Sequence, residues 1–253
     1  MRISKKNLKF FFGIAIILVV GIFIMRYLQN SIVAFTNSPE YYYDGKKSTP
    51  LCEIMGRNGS DKGNKELTRH NYTPFYYSIF KDIKDNNLRI FELGLGTNNT
   101  SFDSNMGPDG IPGASLYGWS EFFPNSMIFG ADIDKGILFQ EKNIKTFYCD
   151  QTKPEIIKSM WDEPVLSDNF DIIIDDGLHT FAANVTFFEN SIHKLNAGGY
   201  YIIEDILNDN VSLFKEKIKE WETKYTNYSF KILPIPDSDN KIDNTLIVIY
   251  KYK

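Results

Sequence analysis

Two short stretches gather acids at the ends of apolar runs. In DIIIDDGLHTF, residues 171–181, the run closes on Asp175 and Asp176, followed by a glycine and then His179. In YYIIEDI, residues 200–206, another run closes on Glu204 and Asp205. Carboxylates in this number suit a hard divalent cation such as Mg2+, which takes oxygen ligands and few protein carboxylates because it keeps several waters. A histidine beside them, with an unperturbed pKa of about 6.5, suits removal of a proton from a hydroxyl that such an ion polarises. The competing reading is structural: Asp175 and Asp176 as a helix N-terminal turn favoured by the helix dipole, and Glu204-Asp205 as a solvated strand end.

A third stretch, FELGLGTNNTSF, brings Glu92 to a turn made by Gly94 and Gly96. These glycines permit a tight turn and close approach of the backbone to a ligand. The position three after Gly96 is Asn99, so the G-x-G-x-x-G dinucleotide fingerprint is incomplete. Asp132 follows in FGADID, placed as an acid would be to accept both hydroxyls of a ribose; its structural alternative is a helix N-cap. Asp150, in YCDQTKPE, stands where an adenine would lie, or else caps the helix opened by Pro154. Each acid is ambiguous alone, whereas the order of glycine turn, acid and second acid is informative.

Positioning these residues requires strands that deliver acids at their carboxyl ends. LRIFEL, MIFGAD, IKTFYC, FDIIID and YYIIED read as strands, and SLYGWSEFF, KPEIIKSMW, TFAANVTFFENSIHKL and VSLFKEKIKEWETKY read as helices between or after them. Two terminal runs, YSFKILPI and NTLIVIY, follow. The alternation predicts βαβ units in a doubly wound, mostly parallel α/β sheet buried on both faces, with ligands gathering at the strands' carboxyl ends.

With these motifs the chain resembles the class I S-adenosylmethionine-dependent methyltransferases. More narrowly, it is similar to the metal-dependent macrolide-sugar and rhamnosyl O-methyltransferases. The matching phrases are GSDKG and HNYTPFY, ELGLGT, GASLYGWSEFFPNSMIFGADID, CDQTKPE, IIIDDGLHTF and GGYYIIEDI, covering residues 58–206. The resemblance implies a seven-stranded Rossmann-like sheet and O-methyl transfer to a sugar or glycoconjugate hydroxyl. It implies S-adenosylmethionine bound at Glu92, Gly94, Gly96, Asp132 and Asp150, with Asp175 on the cofactor side. It also implies Mg2+ held by Asp176, Glu204 and Asp205, with His179 as general base. Asp176 is preferred to Asp175 as the first ligand because the related enzymes place their base three residues beyond it. Leu178 stands where a small Ser is usual, which alters the expected shape of the acceptor pocket.

Other residues receive plainer readings. His193, late in a helix, reads as a favourable C-terminal charge, and Trp119, Phe122 and Phe123 read as core. His70 could line the pocket from above but is assigned no role. The loop SNMGPDGIPGAS, rich in Gly and Pro, reads as a flap or a long surface loop.

The chain has 253 residues, 24% charged and 43% hydrophobic, with a formal net charge of −4. That bounds it to one sizeable core plus an appendage and argues against a nucleic-acid binder. Cys52 and Cys149 read as free buried thiols. Residues 1–30 carry a basic start and an uninterrupted apolar run from Phe10 to Met25, about 24 Å as a helix, which predicts an uncleaved single-pass membrane anchor. The positive-inside rule favours a cytosolic N-terminus, while the sequence leaves the side of the membrane open. Sequons at Asn98 and Asn99 fall in the glycine turn, where a glycan would obstruct binding, so they do not argue for glycosylation. Residues 31–57 read as a linker and 58–253 as the methyltransferase domain. Two rivals stand beside the enzyme: an inactive scaffold on the same fold, and an iron-dependent hydroxylase, disfavoured by its need for two histidines.

Overall fold

The computed structural model describes residues 40, 41, 44, 47–63, 70–236 and 240–253. The chain divides into residues 1–39 and residues 40–253, and all described residues fall in the second unit. The anchor expected over residues 1–30 lies outside them. The expected membrane localisation is corrected: among the described residues no helix is long and apolar enough to cross a membrane.

Seven strands form one sheet in the order β3-β2-β1-β4-β5-β7-β6. They are β1 Arg89–Leu93, β2 Met127–Asp132, β3 Ile144–Tyr148, β4 Phe170–Asp175, β5 Leu195–Ile203, β6 Tyr228–Pro234 and β7 Thr245–Lys251. The first five in that order pair in parallel, and β7 runs antiparallel to both β5 and β6. The sheet is therefore mixed, with the parallel part carrying the acids.

Apolar strands without alternation follow from burial on two faces. Ile90, Ile128, Ile172, Ile174 and Ile202 pack into one core, with α1 (Pro50–Asn58), α2 (Thr73–Phe80) and α3 (Ala114–Phe122) over them. Phe91, Phe129, Ile173, Tyr201 and Ile203 pack into the other, beneath α4 (Pro154–Trp161), α5 (Phe181–Ser191) and α6 (Val211–Lys224). Aromatic rings fill both layers, with Trp119 and Trp221 fully buried.

Residues 50–57, expected as the end of a linker, form most of α1. Thr49 caps it, Pro50 opens it, and Leu51, Cys52 and Met55 are buried.

Between β1 and β4 the chain changes direction across the sheet, and the glycine turn after β1 meets the acidic turn after β4. Gly94, at φ 93°, donates its N–H to the Ala131 carbonyl at 2.8 Å, and Asp176 donates its N–H to the Leu93 carbonyl at 2.9 Å. Such a switch point is where open α/β sheets bind ligands.

Candidate active site

A cavity of about 830 Å³ opens at the carboxyl ends of these strands. Gly94, Gly96 and Asp132 line it on one side, and Asp176, His179 and Asp205 on another. Asp150 and Gln151 also line it, as does His70, which had been assigned no role. The loop expected as a flap contributes Ser104, Asn105 and Met106 to the wall.

Asp132 is drawn into the turn it follows. One carboxylate oxygen accepts the Leu95 N–H at 2.7 Å and the other the Asp134 N–H at 2.8 Å. Burial raises its pKa, and these bonds oppose the rise. Asp150 accepts both the N–H and the hydroxyl of Thr152, at 3.0 and 2.6 Å, so it organises the entry to α4 while facing the cavity.

Three expected residues, Glu92, Asp175 and Glu204, are not brought to the cavity wall. Glu92 is fully buried beneath the turn, bonded by the Ser115 hydroxyl at 2.6 Å and by the Trp119 indole N–H. Asp175 is also fully buried, accepting from Gln151 Nε2 at 3.1 Å and Asn184 Nδ2 at 3.0 Å. Burial pushes its carboxyl up to about 6. Asn184, which opens an N-x-T triplet with Val185 and Thr186, is itself wholly buried, so that triplet is closed in the folded chain.

The remaining acids converge. Asp205 accepts from the Tyr72 hydroxyl at 2.7 Å, and its second oxygen lies 3.3 Å from His70 Nε2 and 3.9 Å from His179 Nε2. Burial and then the neighbouring Asp176 push Asp205 up to about 7. Glu204 is almost completely buried: the Tyr76 hydroxyl donates to one oxygen at 2.5 Å and Lys62 Nζ to the other at 2.7 Å. Its carboxyl is raised, first by burial, with Lys62 opposing and Asp176 and Glu92 adding to the rise. Asp176 takes Lys62 Nζ at 2.5 Å on one oxygen, and its other oxygen stands 4.0 Å from His179 Nε2.

Asp176, His179 and Asp205 each offer a ligand atom within 4.8 Å of the other two. Two carboxylates on a cavity wall, with room for water, fit a hard divalent ion. Glu204, expected as the third ligand, sits behind them. His179 and Asp205 hold left-handed backbones, φ 58° and 54°, and the buried His179 Nδ1 has no hydrogen-bond partner. Two non-glycine residues in this region within one site are the kind of strain that clusters where function fixes geometry.

Lys62, Tyr72, Tyr76 and Gln151 were missed as site residues. The first three lie in GSDKG and HNYTPFY, and Gln151 lies in CDQTKPE, phrases that matched as motifs without yielding roles.

No family model matches the chain. It is similar to the 8-demethyl-8-alpha-L-rhamnosyl tetracenomycin-C 2'-O-methyltransferase of Streptomyces olivaceus, 32% identical over 64% of this chain and 39% of that protein. The L-olivosyl-oleandolide 3-O-methyltransferase of Streptomyces antibioticus is 32% identical over 63% of this chain and 38% of its own length. The mycinamicin VI 2''-O-methyltransferase of Micromonospora griseorubida is 33% identical over 64% and 37% respectively. The chain thus spans well under half the length of the curated relatives it matches. Among solved structures, MycE methyltransferase from the mycinamycin biosynthetic pathway, in complex with Mg and SAH, shares the fold. The TM-score is 0.63 at 24% identity, over 82% of this chain and 56% of that one. The resemblance read from the motifs is borne out: the relatives of this chain are sugar and macrolide O-methyltransferases, and the sheet is a methyltransferase fold.

Proposed function

We propose that this chain is an S-adenosylmethionine-dependent O-methyltransferase acting on a hydroxyl of a sugar or glycoconjugate. The observation that carries the reading is one cavity at the switch point, with the Gly94 turn and Asp132 on one wall and Asp176, His179 and Asp205 on another. The curated relatives' names, and the Mg and SAH in the MycE complex, support the same chemistry.

In this reading the backbone at Gly94 and Gly96 approaches the cofactor, Asp132 accepts its ribose hydroxyls, and Asp150 lies by the adenine. Glu92 and Asp175 support the cofactor side from beneath rather than by contact. Asp176 and Asp205 hold Mg2+, with Glu204 completing the acidic set. The ion, when bound, lowers the pKa of the acceptor hydroxyl. His179 Nε2 takes the hydroxyl proton. The oxygen attacks the methyl carbon, the carbon–sulfur bond breaks, and its electron pair stays on sulfur as a neutral thioether. The protein contributes position, electrostatics and exclusion of water.

Calorimetric titration with S-adenosylmethionine, with and without Mg2+, tests the reading. One-site saturable binding is expected, followed by methyl transfer to a glycosylated acceptor from a panel. Absence of binding in both conditions would overturn the enzyme reading and favour a scaffold.

A further inference from the structure

Lys62 is 1% exposed, a burial that lysine almost never shows unless it is paired. Its Nζ lies 2.5 Å from Asp176, 2.7 Å from Glu204 and 3.6 Å from Glu92. These acids sit at the ends of β1 and β5 and in the turn after β4, so one ammonium touches carboxylates from three strands. An ammonium has three donors and no acceptor, which matches three carboxylates around one point. The segment bearing it is held by backbone bonds at the entry to α2. His70 N–H donates to the Asp61 carbonyl at 3.1 Å and Thr73 N–H to the Lys62 carbonyl at 3.2 Å. Tyr72, just before α2, and Tyr76, in its first turn, present their hydroxyls to Asp205 and Glu204.

Four carboxylates this close repel one another, and burial removes the water that would screen them. A divalent ion on the cavity wall reaches Asp176 and Asp205, whereas Glu92 lies beneath the turn, away from the wall. Something must neutralise the inner acids when no ion is bound, and only Lys62 is in contact with all three of Glu92, Asp176 and Glu204 among the described residues.

We propose that Lys62 is the resident counter-cation of this site, a positioning residue whose ammonium keeps Asp176, Glu204 and Glu92 assembled and ties the cofactor turn to the ion-binding acids. The part concerning the divalent ion rests on the proposed function; the charge compensation does not.

A double-mutant cycle on the full chain tests it, read by thermal unfolding in EDTA and in Mn2+. K62M keeps the length of the stem and removes the charge. In EDTA it is expected to lower Tm by about 10 °C, the scale of a broken buried ion pair in a domain of this size. In an E204Q background, where one of the orphaned charges is gone, the same substitution should cost about half as much. Mn2+ should raise the Tm of K62M more than that of the wild type, because the ion takes over part of the missing positive charge. A merely packed stem would move neither comparison. Equal costs of K62M in both backgrounds would overturn the proposal. Should K62M alone fail to fold, recovery of folded K62M/E204Q counts for it and failure of both counts against it. If Mn2+ shifts no variant at all, the ion-binding reading of the site falls, and the cycle in EDTA still decides the role of Lys62.

Discussion

A Cβ at Gly94 would fall 1.9 Å from the carbonyl oxygen of Asp176. The cofactor turn and the acidic turn are therefore in backbone contact, with no space for any side chain between them. Gly94 also holds φ 93°, a conformation that L residues rarely adopt. Gly94→Ala is expected to lose about 3 kcal/mol or more of stability and to abolish S-adenosylmethionine binding together with ion binding. Denaturant unfolding and cofactor titration check this. Normal binding of either ligand by the variant would mean that the two turns move independently.

Gln151 acts on the acidic turn from the other side. Its Oε1 accepts the Leu178 N–H at 2.5 Å while its Nε2 donates to Asp175 at 3.1 Å. One amide thus fixes the turn that carries Asp176, Gly177 and His179. Gln151→Ala leaves a backbone donor and a buried carboxylate each one partner short, at a cost of about 1–3 kcal/mol. We expect kcat to fall more than tenfold while cofactor affinity changes little, since the residue positions the base. A variant whose loss lies wholly in cofactor Kd would show that Gln151 serves the adenine side instead.

The parallel strands were legible because burial on both faces leaves continuous apolar runs, and the acids at their ends were legible by position. Which face each acid takes was harder. Asp175 is two residues after Ile173 and follows it into the α4–α6 core, whereas Asp176 leaves the strand and turns into the cavity. Lys62 was not legible as a site residue, because a lysine in a Gly- and Asp-rich loop reads as solvated. Its burial comes from acids 30 to 142 positions away. The helix α1 was masked by a Pro-, Asn- and Ser-rich surround, although Thr49 and Pro50 carry its start signal. The start of β5 at Leu195, before Gly198 and Gly199, was also hidden, since glycines read as a turn and a register shift lies opposite them.

His179 separates a backbone role from a chemical one. At φ 58° it occupies the region that asparagine tolerates better than other non-glycine residues. His179→Asn should therefore keep the turn, the fold and cofactor affinity while removing the imidazole. Turnover is expected to fall by about 10²–10⁴, the contribution of a positioned general base. His179→Ala, which lacks the side-chain polar group that eases this conformation, should lose stability as well. Full turnover in the asparagine variant would remove His179 from the base role and turn attention to His70, 3.3 Å from Asp205.

Behind the site, α5 is tied to α6 through Glu189, and α5 is the helix whose Asn184 holds Asp175. The Trp221 indole N–H donates to Glu189 at 3.0 Å and the Lys217 ammonium lies 2.9 Å away. Burial alone would push this carboxyl up, but the Trp221 and Lys217 bonds outweigh it and hold the pKa below its ordinary value. A carboxyl depressed in the folded state binds fewer protons folded than unfolded as pH drops past its unfolded pKa of about 4.3. Its contribution is thus present above that pH and lost as pH falls through the lower, folded value. Glu189→Gln keeps an acceptor for Trp221 and removes the charge, so it should cost about 1 kcal/mol at pH 7 and progressively less under acid conditions. Urea midpoints of both proteins from pH 7 down to the acid limit of folding measure the difference. A gap that stays constant across that range would show that Glu189 ties the helices through the neutral hydrogen bond alone.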